Sequence, residues 1–451
     1  MTTTTITAAL PRHTIALAFA VGMAAALASA SRLLLRTPDA FTQMVWAEDG
    51  LFPLCVRKVG FLACFTDSFA GYLLAVPRGI AGIVSLLPLT TWPLATNAIA
   101  LVLVGLTAGT AFVILRASGR SLPASLLVAL LPAAAPIMGF ETLGVIASAY
   151  TLLLFVTALQ VACPPSSRRW SWSLTGAVAV ALLLTALTIP SAIALAIGLL
   201  IQMVRRRIPR TPGVVLAAAL AVGLLLQGLV ILAADEQRST TPTLGALNSL
   251  GQALPNAILT LLPGIVAGPT LTLDFPIAPP AGLGLFLASA MLIAALALLM
   301  PRTSQTRNAV GILLITGLVV LAVPTLTGYP NNRYFAAPIL LWSAAGLIAL
   351  DALVARSRRA STHTTVTWIL TVLLMGYLWS STWAVSELRG TVFPAWSSEL
   401  ARVTDECLAD PNRQVVLQFS PGWPPPELAL PEPTNAVVRC MDLRLVDRAA
   451  D

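Results

Sequence analysis

Charge is what this sequence has least of. Only 10% of its 451 residues are Asp, Glu, Lys or Arg, while 57% are apolar; soluble domains carry about 25% charge. A soluble core cannot absorb that much apolar sequence, so most of it must face lipid or other membrane helices. Lysine is nearly missing, with Lys58 the only one, and histidine occurs only at His13 and His363. With no CxxC pair and no Cys/His cluster, a zinc site has little to build on. There is no Walker loop, dinucleotide-type glycine fingerprint or HExxH motif, so a cytoplasmic ATP- or NAD-driven reaction has no support. The net charge of +8 does not point to nucleic acid, because the arginines lie in short loops between apolar runs.

The apolar runs recur at near-spanning length and lack the strict alternation of a barrel strand, so they read as helices. Eleven spans are expected, at 14–31, 93–115, 122–139, 143–162, 172–188, 190–204, 212–234, 281–300, 309–326, 336–353 and 365–385. With the N-terminus inside, the short inner loops hold Arg12, Arg116, Arg120, Arg168, Arg169, Arg205–Arg207, Arg210, Arg302, Arg307, Arg356, Arg358 and Arg359, which is 14 of the 27 basic residues. That distribution is the positive-inside pattern and orients the chain. The acids fall almost entirely outside; Asp351 is the exception and reads as structural, within reach of Arg356. Segment 73–90 is apolar but interrupted by Pro77, Arg78 and Pro88. A juxtamembrane or re-entrant helix suits it better than a span, which would place Arg116 and Arg120 outside. Ala28-Ser29-Ala30 after the first apolar run resembles a signal-peptide cleavage site; an uncleaved first span is the preferred reading, and residue 32 emerges outside either way.

The expected architecture is therefore an all-α polytopic transmembrane bundle over 1–385 with a small α/β extracytoplasmic domain at 386–451. Three outer regions are large: 32–92, 235–280 and the tail. In the tail, Gln414–Phe419 and Ala436–Val446 alternate apolar and polar residues, which predicts strands, separated by the turn-rich Pro421-Gly422-Trp423-Pro424-Pro425-Pro426. Cys55 and Cys64 share the first outer loop, and Cys407 and Cys440 share the tail. An oxidising compartment permits a bridge within each pair; four unpaired thiols are the alternative. Cys163, at an inner end, is expected to be free.

Two stretches could carry chemistry. The first outer loop holds Trp46-Ala47-Glu48-Asp49-Gly50 and then Gly71-Tyr72-Leu73 and Pro77-Arg78. Adjacent carboxylates beside Trp46 at a membrane surface are costly to place; desolvation there would make a better proton acceptor. The plain alternative is a solvated Glu-Asp-Gly turn. The second stretch is Asn332-Arg333-Tyr334-Phe335, at an outer mouth, where an arginine runs against the positive-inside bias. A guanidinium flanked by aromatics there suits a phosphate, which its planar fork can pair bidentately; the alternative is a side chain snorkelling to headgroups. Arg78 is a weaker candidate of the same kind. Glu141 could line the same cavity or mark a span end, and Asp235 and Glu236 read as solvated loop acids.

This layout resembles the GT-C superfamily of membrane glycosyltransferases. Trp46-Ala47-Glu48-Asp49-Gly50, Gly71-Tyr72-Leu73 and Pro77-Arg78 are similar to segments of bacterial members, and Asn332-Arg333-Tyr334-Phe335 resembles their Arg-Tyr-Phe segment. The specific motifs cover only about 20 residues. The resemblance implies a polyprenyl-phosphate-linked sugar donor and a glycan, lipid or protein acceptor at the outer face of a bacterial plasma membrane, with membrane lipids as surroundings. It implies Asp49 or Glu48 as general base, and Arg333 with Arg78, Tyr334 and Tyr72 on the donor phosphate. The adjacent Glu-Asp departs from an Asp-x-Asp pattern. That leaves open which acid acts and whether a divalent cation, Mg2+ or Mn2+, takes part. A transporter or flippase for a lipid-linked glycan would instead place polar residues at midplane and show internal repeats. Neither is visible in the sequence, and a non-catalytic scaffold would not need the acids and Arg333 to converge.

Overall fold

The computed structural model describes residues 12–69, 71–135, 138, 143–165, 170–234, 304–326, 332–355, 395–419 and 435–443, and these are mostly helical. Helix α1 (Arg12–Arg36) leads through a short α2 (Ala40–Gln43) to three small helices, α3 (Ala47–Val59), α4 (Phe61–Thr66) and α5 (Ala75–Val84). Then come α6 (Trp92–Ala117), α7 (Leu122–Ala134), α8 (Ala149–Ala162), α9 (Trp172–Thr188), α10 (Ala194–Val204) and α11 (Arg210–Ala233). After them stand α12 (Ser304–Leu326) and α13 (Asn332–Val354). The tail folds as α14 (Trp396–Ala409), strands β1 (Gln414–Gln418) and β2 (Asn435–Arg439), and the single turn α15 (Cys440–Leu443).

Among the described residues five stretches are helical, long and apolar enough to cross a membrane: His13–Leu35, Leu89–Ala117, Arg210–Ala233, Gln305–Ala322 and Ala336–Val354. The expected spans at 281–300 and 365–385 lie outside the described residues. The expected spans at 122–139, 143–162, 172–188 and 190–204 are shorter apolar helices, Leu122–Ala134, Ile146–Ala162, Trp172–Thr188 and Pro190–Val204. Ala135 precedes Pro136, whose ring pushes the preceding residue out of the α region, and Ala135 is extended (φ −63°, ψ 129°). At 13 residues α7 is about 20 Å long, well short of a hydrocarbon core of about 30 Å. Arg32, buried on α1, donates from Nη1 to the Ala133 and Ala135 carbonyls at the broken end (3.3 and 3.2 Å). Those carbonyls have no intrahelical partner at a helix C-terminus.

Small residues set the closest crossing. A Cβ built on Gly22 of α1 would meet the Gly105 carbonyl oxygen of α6 at 2.7 Å, and one on Gly109 would meet the Ala18 oxygen at 3.0 Å. Backbones in contact replace side-chain packing, the usual solution where lipid supplies no hydrophobic drive between helices.

The helix ends sort into two sets. At one end Arg120 Nη1 donates to Thr306 Oγ1 (3.0 Å), the Ser121 amide to Asp351 Oδ2 (3.3 Å), and Gln202 Nε2 to the Val161 and Ala162 carbonyls (3.1 and 3.0 Å). The loop arginines 116, 120, 205–207 and 307 gather here. The opposite end holds α2 to α5, the turn Ile146–Ser148 and the described elements of the tail. Two side chains tie the α5 entry to the bundle there: Gln227 of α11 pairs its amide with the Leu73 backbone (3.1 and 3.3 Å), and Thr188 Oγ1 accepts from the Val76 amide (3.2 Å).

In the tail β1 and β2 pair antiparallel in the register Gln414↔Arg439 to Gln418↔Asn435. The second expected strand, Ala436–Val446, is corrected: it ends at Arg439, and Cys440–Leu443 turn into helix. Cys440 bonds Cys407 of α14, which pulls the chain off the strand path. Among the described residues Cys55 and Cys64 form the other disulfide, and Cys163 is free and buried.

Candidate functional site

The acid pair opens α3. Glu48 and Asp49 stand in its first turn, and both are buried, 8% and 3% exposed. The solvated-turn alternative is thereby overturned. Negative charge at a helix N-terminus is favoured by the exposed amides there, which is why a Glu-Asp pair starts this helix well. Asp49 also serves a second helix. Its Oδ2 accepts from the Ile146 amide and its Oδ1 from the Ala147 amide, both at 2.8 Å. These amides open the 3-10 turn Ile146–Ser148 that feeds α8, where Val145 offers no side-chain cap. Asp49 is therefore a cap supplied from 97 residues away. Both of its carboxylate oxygens are thereby engaged at the amide end of that turn.

Trp46, Phe52, Leu74, Ala81, Val145 and Ala147 form one buried cluster, with Tyr72, Phe69 and Met44 packed on it. Gly71 has φ 84°, a conformation natural only to glycine. It lets the chain reverse so that Phe69 and Tyr72 exchange backbone hydrogen bonds (2.9 and 3.2 Å). Phe52 lies one turn after Glu48 on the same face of α3, and the Arg78 guanidinium sits 5.4 Å over its ring. Arg78 is 2% exposed. Its Nη1 donates to the Cys64 and Asp67 carbonyls, and Nη2 lies 3.9 Å from the Asp67 carboxylate. Burial pushes its pKa down, and the Asp67 charge pushes it back up. The guanidinium is thus occupied in closing the 64–67 turn, with Nε the one side-chain nitrogen that lacks a partner among the described residues.

The tail completes this end. A Cβ on Gly50 would meet the Phe419 ring at 2.2 Å, so the glycine after the acid pair is one of the places where the tail touches α3. Phe419 stacks on Trp396 (5.7 Å between centroids), which stacks on Trp92 (6.4 Å) and donates to the Leu89 carbonyl (2.8 Å). Arg57 lies over Trp92 (5.0 Å) and donates to the Ser85, Leu87 and Leu443 carbonyls. Gln43 Oε1 accepts from the Ser397 amide and hydroxyl (3.1 and 2.8 Å). Inside the tail, the Glu399 hydrogen bond raises the pKa of Arg402.

Of the residues singled out in the sequence, Glu48, Asp49, Trp46, Tyr72 and Arg78 are brought together here. Arg333 and Tyr334 begin α13, their side chains outside the described residues. Because Asp351 of the same 23-residue helix reaches Ser121 at the arginine-rich end, the start of α13 lies about 30 Å away, at the other end of the bundle. Glu141, Asp235, Glu236 and Arg356 lie outside the described residues. Sequence reasoning missed Arg57, Gln227 and Phe419, and it took Gly50 only as part of the acidic motif. Only Gln227, a lone amide in an apolar span, carried a local signal. Among the described residues no group of three or more His, Cys, Asp or Glu gathers, and both Asp49 oxygens are engaged by amides. Compared with known proteins, the chain matches no family model, and no curated protein sequence is significantly similar to it.

Proposed function

We propose that this chain is an integral membrane glycosyltransferase of the GT-C kind. It would move a sugar from a polyprenyl-phosphate donor to an acceptor at the outer face of a bacterial plasma membrane. The observation that carries the reading is the buried acid pair, with Trp46, Tyr72 and Arg78, at the end of the bundle opposite the arginine-rich end. The positive-inside bias makes the arginine-rich end cytoplasmic, which turns the acids outward.

In this reading the two acids divide the work. Asp49, anchored to the Ile146 and Ala147 amides, fixes the start of α3 against α8. Glu48 is the base. It takes the proton of an acceptor hydroxyl as that oxygen attacks the anomeric carbon, and the bond from that carbon to the phosphate oxygen breaks with inversion. The leaving polyprenyl phosphate carries the negative charge away, and Arg333 at the start of α13 would stabilise it where it develops. Arg78, committed to Cys64 and Asp67, holds the loop shape instead of binding donor.

The test is donor consumption by protein purified into nanodiscs. Saturable release of polyprenyl phosphate from a panel of polyprenyl-phosphate sugars, in the presence of glycan and lipid acceptors, is the expected result. Every donor staying intact with correctly folded protein would overturn the reading.

A further inference from the structure

At the arginine-rich end a groove of about 440 Å³ runs between α10 and α12. Its body is apolar, made by Leu200, Ile201 and Val204 on one side and Gly311, Ile312 and Ile315 on the other. Its mouth is cationic, formed by Arg205, Arg307 and Asn308. We propose that this groove binds an anionic phospholipid of the surrounding leaflet, with an acyl chain along the apolar body and the phosphate between Arg205 and Arg307.

Several observations converge on this occupant. The Asn308 amide nitrogen, Nδ2, is buried and lacks a hydrogen-bond partner among the described residues. A buried donor left that way is unfavourable, and a phosphate oxygen at the mouth would satisfy it. Arg205 and Arg307 are exposed, no carboxylate lines the groove, and neither arginine joins an ion pair among the described residues. Among the described residues, charge at the mouth is therefore uncompensated, though one helix end bears on each arginine. Arg205 follows the C-terminus of α10, worth about half a negative charge, and Arg307 lies in the first turn of α12, worth about half a positive one. Those two cancel and leave both guanidiniums in excess. Deep in the groove α10 and α12 touch, since a Cβ on Gly198 would meet Ile312 at 2.7 Å. Nearer the mouth a Cβ on Gly311 would meet nothing within 4 Å, so open space remains beside an otherwise apolar wall. Basic pockets between membrane helices on the cytoplasmic side recognise acidic headgroups in this way.

The experiment titrates delipidated protein in neutral-detergent micelles with phosphatidylglycerol or with phosphatidylcholine of the same chains, and reads bound lipid by native mass spectrometry. Saturable, one-to-one binding of phosphatidylglycerol is expected, with phosphatidylcholine at least tenfold weaker. The double variant Arg205→Gln/Arg307→Gln should bind roughly thirtyfold more weakly, at about 1 kcal/mol for each arginine near a phosphate. Arg206→Gln, which removes a neighbouring exposed arginine outside the groove, should bind like the parent. Gly311→Leu keeps the charges and fills the open space; it too should weaken binding. Equal affinity for both lipids overturns the proposal. So does parent-like binding by the double variant, or, should that variant fail to fold, by Gly311→Leu. Full displacement of the lipid by inorganic phosphate at matching affinity would assign the arginines to a soluble anion and overturn it as well.

Discussion

At the scale of single residues, the acidic motif is three neighbours with three different engagements. Glu48 lies one helical turn before the ring that Arg78 covers, Asp49 caps a distant helix, and Gly50 makes room for the tail. Asp49→Ala removes two hydrogen bonds to a charged acceptor and leaves the Ile146 and Ala147 amides buried. A loss of about 2–4 kcal/mol in unfolding free energy is expected, measurable by thermal unfolding in detergent. Gly50→Ala tests the third neighbour. In an isolated helix the change would stabilise by about 1 kcal/mol. Here the new methyl meets Phe419 at 2.2 Å, and that ring is held by its stack on Trp396. The sign should therefore reverse to a loss of about 1–3 kcal/mol, largely recovered in the double variant with Phe419→Ala. A simple sum of the two single losses would refute the contact.

At the scale of elements, the tail's own stability rests on its bridge. Cys407–Cys440 closes a loop of sequence separation 33 and Cys55–Cys64 one of 9. Chain entropy then assigns the tail bridge the larger share, about 3.5 kcal/mol against about 2.5. Replacing Cys407 and Cys440 by serine should make the tail the first segment cut in limited proteolysis, while the Cys55/Cys64 pair of replacements should leave it resistant. Docking is a separate matter and depends on Trp396. Trp396→Ala removes the stack between Trp92 and Phe419 and the hydrogen bond to Leu89, a loss of about 3–5 kcal/mol. It is expected to release an intact tail, seen as faster hydrogen exchange at residues 47–59. Much at this scale was legible in advance. The helix expected over 172–188 occurs with those bounds, because an uninterrupted apolar run leaves no rival. The broken helix at Ala135 was missed even though Pro136 signals it, because composition across the break stays apolar. Strand β1 was readable from alternation, whereas β2 was overread, since a disulfide and not periodicity ends it.

At the scale of the whole molecule, the arginine pattern foresaw which helix ends meet. Arg120 finds Thr306, and Ser121 finds Asp351, as pairing of the short basic loops requires. What no pattern disclosed is that Asp49 serves α8 or that Phe419 closes on Gly50, because such contacts join distant segments and leave no periodicity. The two-ended arrangement makes its own prediction. A cysteine at position 67, whose acidic side chain is 65% exposed, should react with an impermeant maleimide in intact spheroplasts. One at position 206 should react only after permeabilisation. Labelling of both from the same side would contradict the orientation. The central claim, that Glu48 does the chemistry while Asp49 holds the frame, is tested most directly by measuring sugar transfer and thermal stability together in Glu48→Gln and Asp49→Asn. The account predicts at least a hundredfold loss of turnover in Glu48→Gln, the range of a lost general base, at unchanged melting temperature, with Asp49→Asn chiefly lowering the melting temperature. Parental turnover in Glu48→Gln would contradict it.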